Sequence, residues 1–181
     1  MRVWPLIAWL MAALVGPLAV AQSTPLSADC PQFARYRNDN AAVKSPRAGD
    51  ARVVFLGDSI TGDWGRKVGE FFPGKPYLNR GISGETTRLM LARFCADVIA
   101  LQPRAVVILA GTNDLPAGRT LAEIERDLNS MAELACANGI RVVLASVLPV
   151  HDYESQISAS RPHAQIVALN AWIKGYAQRQ R

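Results

Sequence analysis

The sequence predicts an open, doubly wound α/β sheet, and three observations carry that reading. Apolar, β-branched runs recur at "RVVFL" (52–56), "AVVILA" (105–110) and "RVVLASVL" (141–148), the pattern of parallel strands buried on both faces. Helical periodicity fills the intervals between them. Each strand empties into a polar tip rich in Gly, Asp and Asn, at the sheet edge where such folds bind ligands.

The elements follow in order. Residues 1–21 hold one Arg, an apolar run and then Ala19-Val20-Ala21, which reads as a signal peptide cleaved after Ala21. No later segment has the roughly 20 apolar residues of a spanning helix, so no stable membrane insertion is expected after cleavage. The chain is accordingly expected to be exported, to a periplasm or outside the cell. Residues 22–50 are rich in Ser, Pro, Ala and Asn and read as an extended lead-in, with a short helix near 33–40. The single domain is placed at 51–181.

Within that domain "PYLNRGI" (76–82) is a weaker strand after the first. Leu91, Phe94, Cys95 and Val98 then share one face of a helix. Leu121, Ile124, Leu128 and Met131 share a face of the next, which Thr120-x-x-Glu123 opens as a capping box and Asn138-Gly139 stops. Ile166, Leu169, Ile173 and Tyr176 line a last helix, with Pro162 at its first turn. Right-handed crossovers between such strands wind the sheet in both directions.

Half of the 181 residues are hydrophobic and 19% are charged, ordinary for a globular domain with its own core. The net charge of +5 is scattered, with no basic stripe, which argues against nucleic acid as a partner. Three cysteines, Cys30, Cys95 and Cys136, leave an odd thiol, and no Cys-x-x-Cys suggests a metal site. Cys95 and Cys136 lie on successive helices, as a disulfide or as two free thiols.

The chemistry is at the strand tips. Ser59 and Gly84 are 25 residues apart, and Gly84 and Asn113 are 29 apart. Each interval fits one helix and one strand, so all three return to the same edge. Acyl transfer needs a nucleophile and hydrogen-bond donors aimed at the developing oxyanion. Ser59 Oγ supplies the first. The backbone N–H groups of Ser59 and Gly84 and the Asn113 amide supply the second. Taken singly, Ser59 reads as a helix cap, Gly84 as a turn residue and Asn113-Asp114 as capping chemistry. Asp58 reads as a turn acceptor, Trp64 as a pocket wall or packing residue, and Arg88 as a solvated helix residue or a contact for an anionic substrate group.

"FLGDSIT", "NRGISGETT" and "GTND", in this order, resemble the three blocks of the GDSL or SGNH hydrolases, a family of serine esterases and acylhydrolases. The resemblance runs from about residue 51 to the end. It implies a flavodoxin-like, three-layer α/β/α sheet, Ser59 as nucleophile, and Gly84 and Asn113 as oxyanion donors. It implies no cofactor and a small-molecule ester as substrate: an acylated sugar, a lysophospholipid or a short acyl ester. The nucleophile lacks the Gly-x-Ser-x-Gly elbow of other α/β hydrolases, since Thr61 holds the second Gly position.

The family's C-terminal Asp-x-x-His, after a fifth strand, does not occur in these 181 residues. His151, beside Asp152, and His163 are the two histidines, and neither is assigned as the base. The expectation is therefore a C-terminally shortened esterase domain without its fifth strand, inactive if nothing supplies the base. Two alternatives stand beside it: a non-catalytic binder of acylated ligands on the same fold, and an enzyme completed by another chain. A sheet without its fifth strand is expected to leave an edge and an apolar helix face uncovered.

Overall fold

The structure, a computed structural model, describes residues 34–47, 49–152 and 158–180. Among the described residues four strands form one parallel sheet in the order β2-β1-β3-β4: β1 Val53–Gly57, β2 Tyr77–Gly81, β3 Ala105–Leu109 and β4 Arg141–Leu144. The helices are α1 Arg37–Ala42, α2 Ser59–Asp63, α3 Thr87–Asp97, α4 Leu121–Ala137 and α5 His163–Arg179, with a short 3-10 turn at Ile99–Leu101. The α/β fold is as the sequence predicts.

Alternate strand residues point to one core. Val54, Leu56, Val106 and Ile108 are buried among Met90 and Phe94 of α3, Ile124, Leu128 and Met131 of α4, and Leu169 and Ile173 of α5. The intervening residues are less enclosed, which corrects the expectation of strands buried on both faces. The opposite face is covered by α2 and a cluster of rings. Phe55 packs on Trp64, Phe71, Phe72 and Tyr77, with centroids 5.0–6.1 Å apart.

β4 ends at Leu144, four residues short of the expected run to 148. Its partner β3 stops at Leu109, and the ladder closes on the Ala145 N–H donating to Ile108 O at 2.9 Å. Among the described residues β4 is a sheet edge, with Val143 51% exposed. A groove lined by Ala132, Val142, Leu144, Tyr176 and Ala177 runs beside it.

The α4 capping box is present, with Thr120 Oγ1 accepting from Glu123 N–H at 3.3 Å and Glu123 Oε2 accepting from Thr120 N–H at 2.9 Å. Asn138 caps its end before Gly139 at φ 70°. The face of α3 differs from expectation: Cys95 is exposed, and Arg93 and Asp97 point inward beside Met90 and Phe94. An apolar stripe drawn through Leu91 and Cys95 overlooks an arginine that is buried because it is paired. Cys95 and Cys136 are exposed free thiols, not a disulfide; Cys30 lies outside the described residues, as does the signal segment 1–21.

The short helix expected near 33–40 runs from Arg37 to Ala42. Residues of the lead-in dock on the β2 side of the sheet. Buried Tyr36 donates to Gly81 O at 2.6 Å, and Asn40 Nδ2 donates to Asp97 Oδ1 at 2.6 Å. Burial pushes the Tyr36 phenol above its ordinary range.

Candidate active site

β1, β2 and β3 end level. Gly57 stands opposite Gly81 on one side and Leu109 on the other. Ser59 is the first residue of α2, and Asp58 caps that helix by accepting the Ile60 N–H on Oδ1 at 2.9 Å. The capping role that the sequence offered to Ser59 is therefore filled by Asp58. Among the described residues Ser59 Oγ has no hydrogen-bond partner.

Glycine is needed where α2 meets the sheet. A Cβ on Gly81 would fall 2.2 Å from the Gly62 nitrogen, and one on Gly62 would fall 2.8 Å from Gly81 O. The helix bearing Ser59 thus rests backbone to backbone on β2. Asn79 ties the same turn down, donating to Thr61 O at 2.6 Å and Trp64 O at 2.9 Å.

The second tip turns at Gly84, with φ 79°, a left-handed conformation that favours glycine. The turn closes through the Glu85 N–H donating to Ile82 O at 3.3 Å, and among the described residues the exposed Gly84 N–H has no partner. The third tip brings Asn113 against both others. Asn113 Nδ2 donates to Glu85 O at 3.1 Å and to Asp58 Oδ2 at 3.4 Å. One amide thus touches the residue before Ser59 and the residue after Gly84.

Beneath this surface lies a buried ionic layer. Arg93 donates through Nη1 to Asp97 at 2.9 Å and through Nη2 to Arg80 O at 2.7 Å and Gly57 O at 3.4 Å. It also binds Glu85, whose Oε1 is buried with no hydrogen-bond partner among the described residues. Burial pushes the Glu85 carboxyl up, and Arg93 pulls it back down in part. Asp58 is likewise raised, chiefly by burial, with the Ile60 N–H and Arg161 acting against it. Asp114 holds the third tip to α3, accepting from Thr87 N–H at 3.0 Å, Thr87 Oγ1 at 2.6 Å and Arg119 at 3.0 Å.

A depression of about 470 Å³ opens beside Ser59, walled by Ile60, Asp63, Trp64 and Val68. Trp64 both packs and lines it: its ring lies 4.5 Å from Phe72 while 37% of the residue stays exposed. Arg88 is exposed and faces a separate cleft with Arg119 and Glu123. His151 and His163 are exposed, and neither lines the depression. Asp152 accepts from the Ser158 N–H at 2.8 Å and from its hydroxyl.

Three features went unread in the sequence: the Arg93 ion cluster, the Gly62–Gly81 contact, and Arg161, which reaches Asn113 from 48 residues away. Only the first had a local signal, the Arg93/Asp97 pair at i,i+4 spacing.

A parallel α/β sheet thus carries a serine, a left-handed glycine turn and an asparagine amide together at one edge. The chain belongs to the GDSL-like Lipase/Acylhydrolase family, whose model matches residues 55–181. It is similar to a GDSL-like lipase from Bacteroides thetaiotaomicron, with 41% identity, a TM-score of 0.76, and coverage of 82% of this chain and 74% of that one. A proposed acylhydrolase from Bacteroides fragilis matches at 39% identity and a TM-score of 0.76, over 81% of this chain and 72% of that one. The esterase TesA of Pseudomonas aeruginosa is 39% identical over 70 residues, which span 39% of this chain and 35% of that esterase.

Proposed function

We propose that this protein is an esterase or acylhydrolase acting on small carboxylic esters through Ser59. Ser59 Oγ attacks the ester carbonyl, the C–O bond to the alcohol breaks, and the acyl group passes to the serine. Water then releases the acid. The serine proton goes to a base and on to the departing alkoxide. The oxyanion is held by the Ser59 and Gly84 N–H groups and the Asn113 amide. The observation that carries this reading is the position of Asn113 Nδ2, in reach of both Asp58 and Glu85, the chain neighbours of the other two groups. The apolar walls of the depression suit the acyl or alcohol part of such a substrate.

A second reading has its own support. Neither histidine lines the depression at Ser59, which favours a protein that binds acylated ligands without turning them over. Fluorophosphonate labelling with p-nitrophenyl acetate turnover separates the two. The esterase reading expects labelling and turnover that Ser59→Ala abolishes. Labelling or turnover that Ser59→Ala leaves unchanged would overturn it; binding of an acyl ester with neither reaction would establish the second.

A further inference from the structure

Asn113 can serve an oxyanion only if its NH₂, not its carbonyl, faces the reacting centre. The two ends of an amide have the same shape, so its neighbours must decide. On one side are the backbone carbonyl Glu85 O, at 3.1 Å, which can only accept, and Asp58 Oδ2, at 3.4 Å, which can only accept when the carboxylate is ionised. On the other is Arg161, whose Nη2 lies 3.3 Å from Asn113 Oδ1 and which has no acceptor at all. A flipped amide would set NH₂ against guanidinium and carbonyl against carbonyl and carboxylate. All three contacts would become repulsive.

Arg161 is itself well anchored. Its Nε donates to Thr112 O at 3.0 Å, so the guanidinium grips two successive residues of the third tip. It stands just before α5, and α5 is locked to the chain after β4. Asn170 accepts from the Val147 N–H at 2.7 Å and donates to Val147 O at 2.9 Å. Leu169 packs against Gly111, where an added Cβ would come within 2.7 Å of Cδ2. α5 therefore carries the arginine on a rigid arm.

We propose that Arg161 is the positioning residue of the oxyanion site, fixing the Asn113 amide with Nδ2 toward the other two tips, where the hydrogen held by the long 3.4 Å contact to Asp58 Oδ2 passes to the oxyanion formed at Ser59. The proposal rests on the reading of Asn113 as an oxyanion donor. The guanidinium also polarises the amide through Oδ1, which makes Nδ2–H a stronger donor.

The test uses the full chain with Arg161→Gln, Arg161→Lys, Asn113→Ala and the Arg161→Gln/Asn113→Ala pair. One readout is the ¹⁵N side-chain amide signal of Asn113, assigned by its loss in Asn113→Ala. The other is the rate of Ser59 labelling by a fluorophosphonate. Arg161→Gln should shift the Asn113 amide pair and slow labelling about tenfold, a fraction of the loss expected for a whole oxyanion donor. Arg161→Lys should restore part of both, and Arg161→Gln should add nothing once Asn113 is alanine. Asn113 signals unmoved by Arg161→Gln, or equal slowing in the Asn113→Ala background, would overturn the proposal. If Ser59 is not labelled at all, the esterase reading fails and the amide signal alone decides the role of Arg161.

Discussion

Arg93 takes Glu85 Oε2 on two nitrogens, Nε at 2.7 Å and Nη2 at 2.6 Å, with both side chains 1% exposed. The same guanidinium holds Asp97 and the carbonyl of Arg80. It ties the turn after β2 to the strand that leads into it. Removing it as Arg93→Met leaves two buried carboxylates without their cation, which should cost roughly 3–5 kcal/mol. Urea unfolding checks this, and a loss below about 1 kcal/mol would show the pair to be energetically idle.

Gly81→Ala tests the seat of the nucleophile helix. The new methyl meets backbone, not a flexible side chain, so the cost should be roughly 1–3 kcal/mol. Gly74→Ala is a contrasting control: nothing lies within 4 Å there, and only its φ of 71° opposes the change. The two melting temperatures should fall in that order, with Gly81→Ala the lower. An equal or reversed order would mean that α2 can ride up off β2 freely.

Asp58 predicts a pH dependence of stability. Its folded carboxyl is raised from 3.8, mainly by burial, so the folded state binds the proton more tightly than the unfolded chain does. Its contribution is therefore most favourable at acid pH and declines as pH rises from about 3.8 through the raised value. Asp58→Asn keeps a good helix cap and removes the titration. The stability of the wild type relative to this variant should fall across that window. A difference that stays flat between pH 3 and 8 would refute the assignment.

Thr120→Ala removes one half of the α4 capping box and should cost about 1 kcal/mol. Thr120→Ser should recover most of it. Chemical denaturation of the three proteins is sufficient to see the pattern.

Much of this was legible in the chain. Strand runs ending in Gly57-Asp58-Ser59, Gly84 and Asn113-Asp114 placed the site at one sheet edge, because period and spacing are local properties. Thr120 and Glu123 spelled a cap for the same reason. Arg93 was not legible as a core residue, since its burial depends on Glu85, eight residues away, and on carbonyls of β1 and β2. Arg161 was hidden by distance along the chain: nothing near Pro162 signals a contact with Asn113. The end of β4 was hidden too, because a strand's length depends on its partner, and β3 stops at Leu109.

The parallel register has a practical side. Everything proposed for chemistry rides on the carboxyl ends of β1, β2 and β3, while the turns at Gly74 and Gly139 lie at the entrances to β2 and β4, on the far rim. Both glycines have open space around them. That rim is the place for a surface tether: with Cys95 and Cys136 replaced, a cysteine-linked dye or solid support attached there points the Ser59 edge outward, toward dissolved substrate.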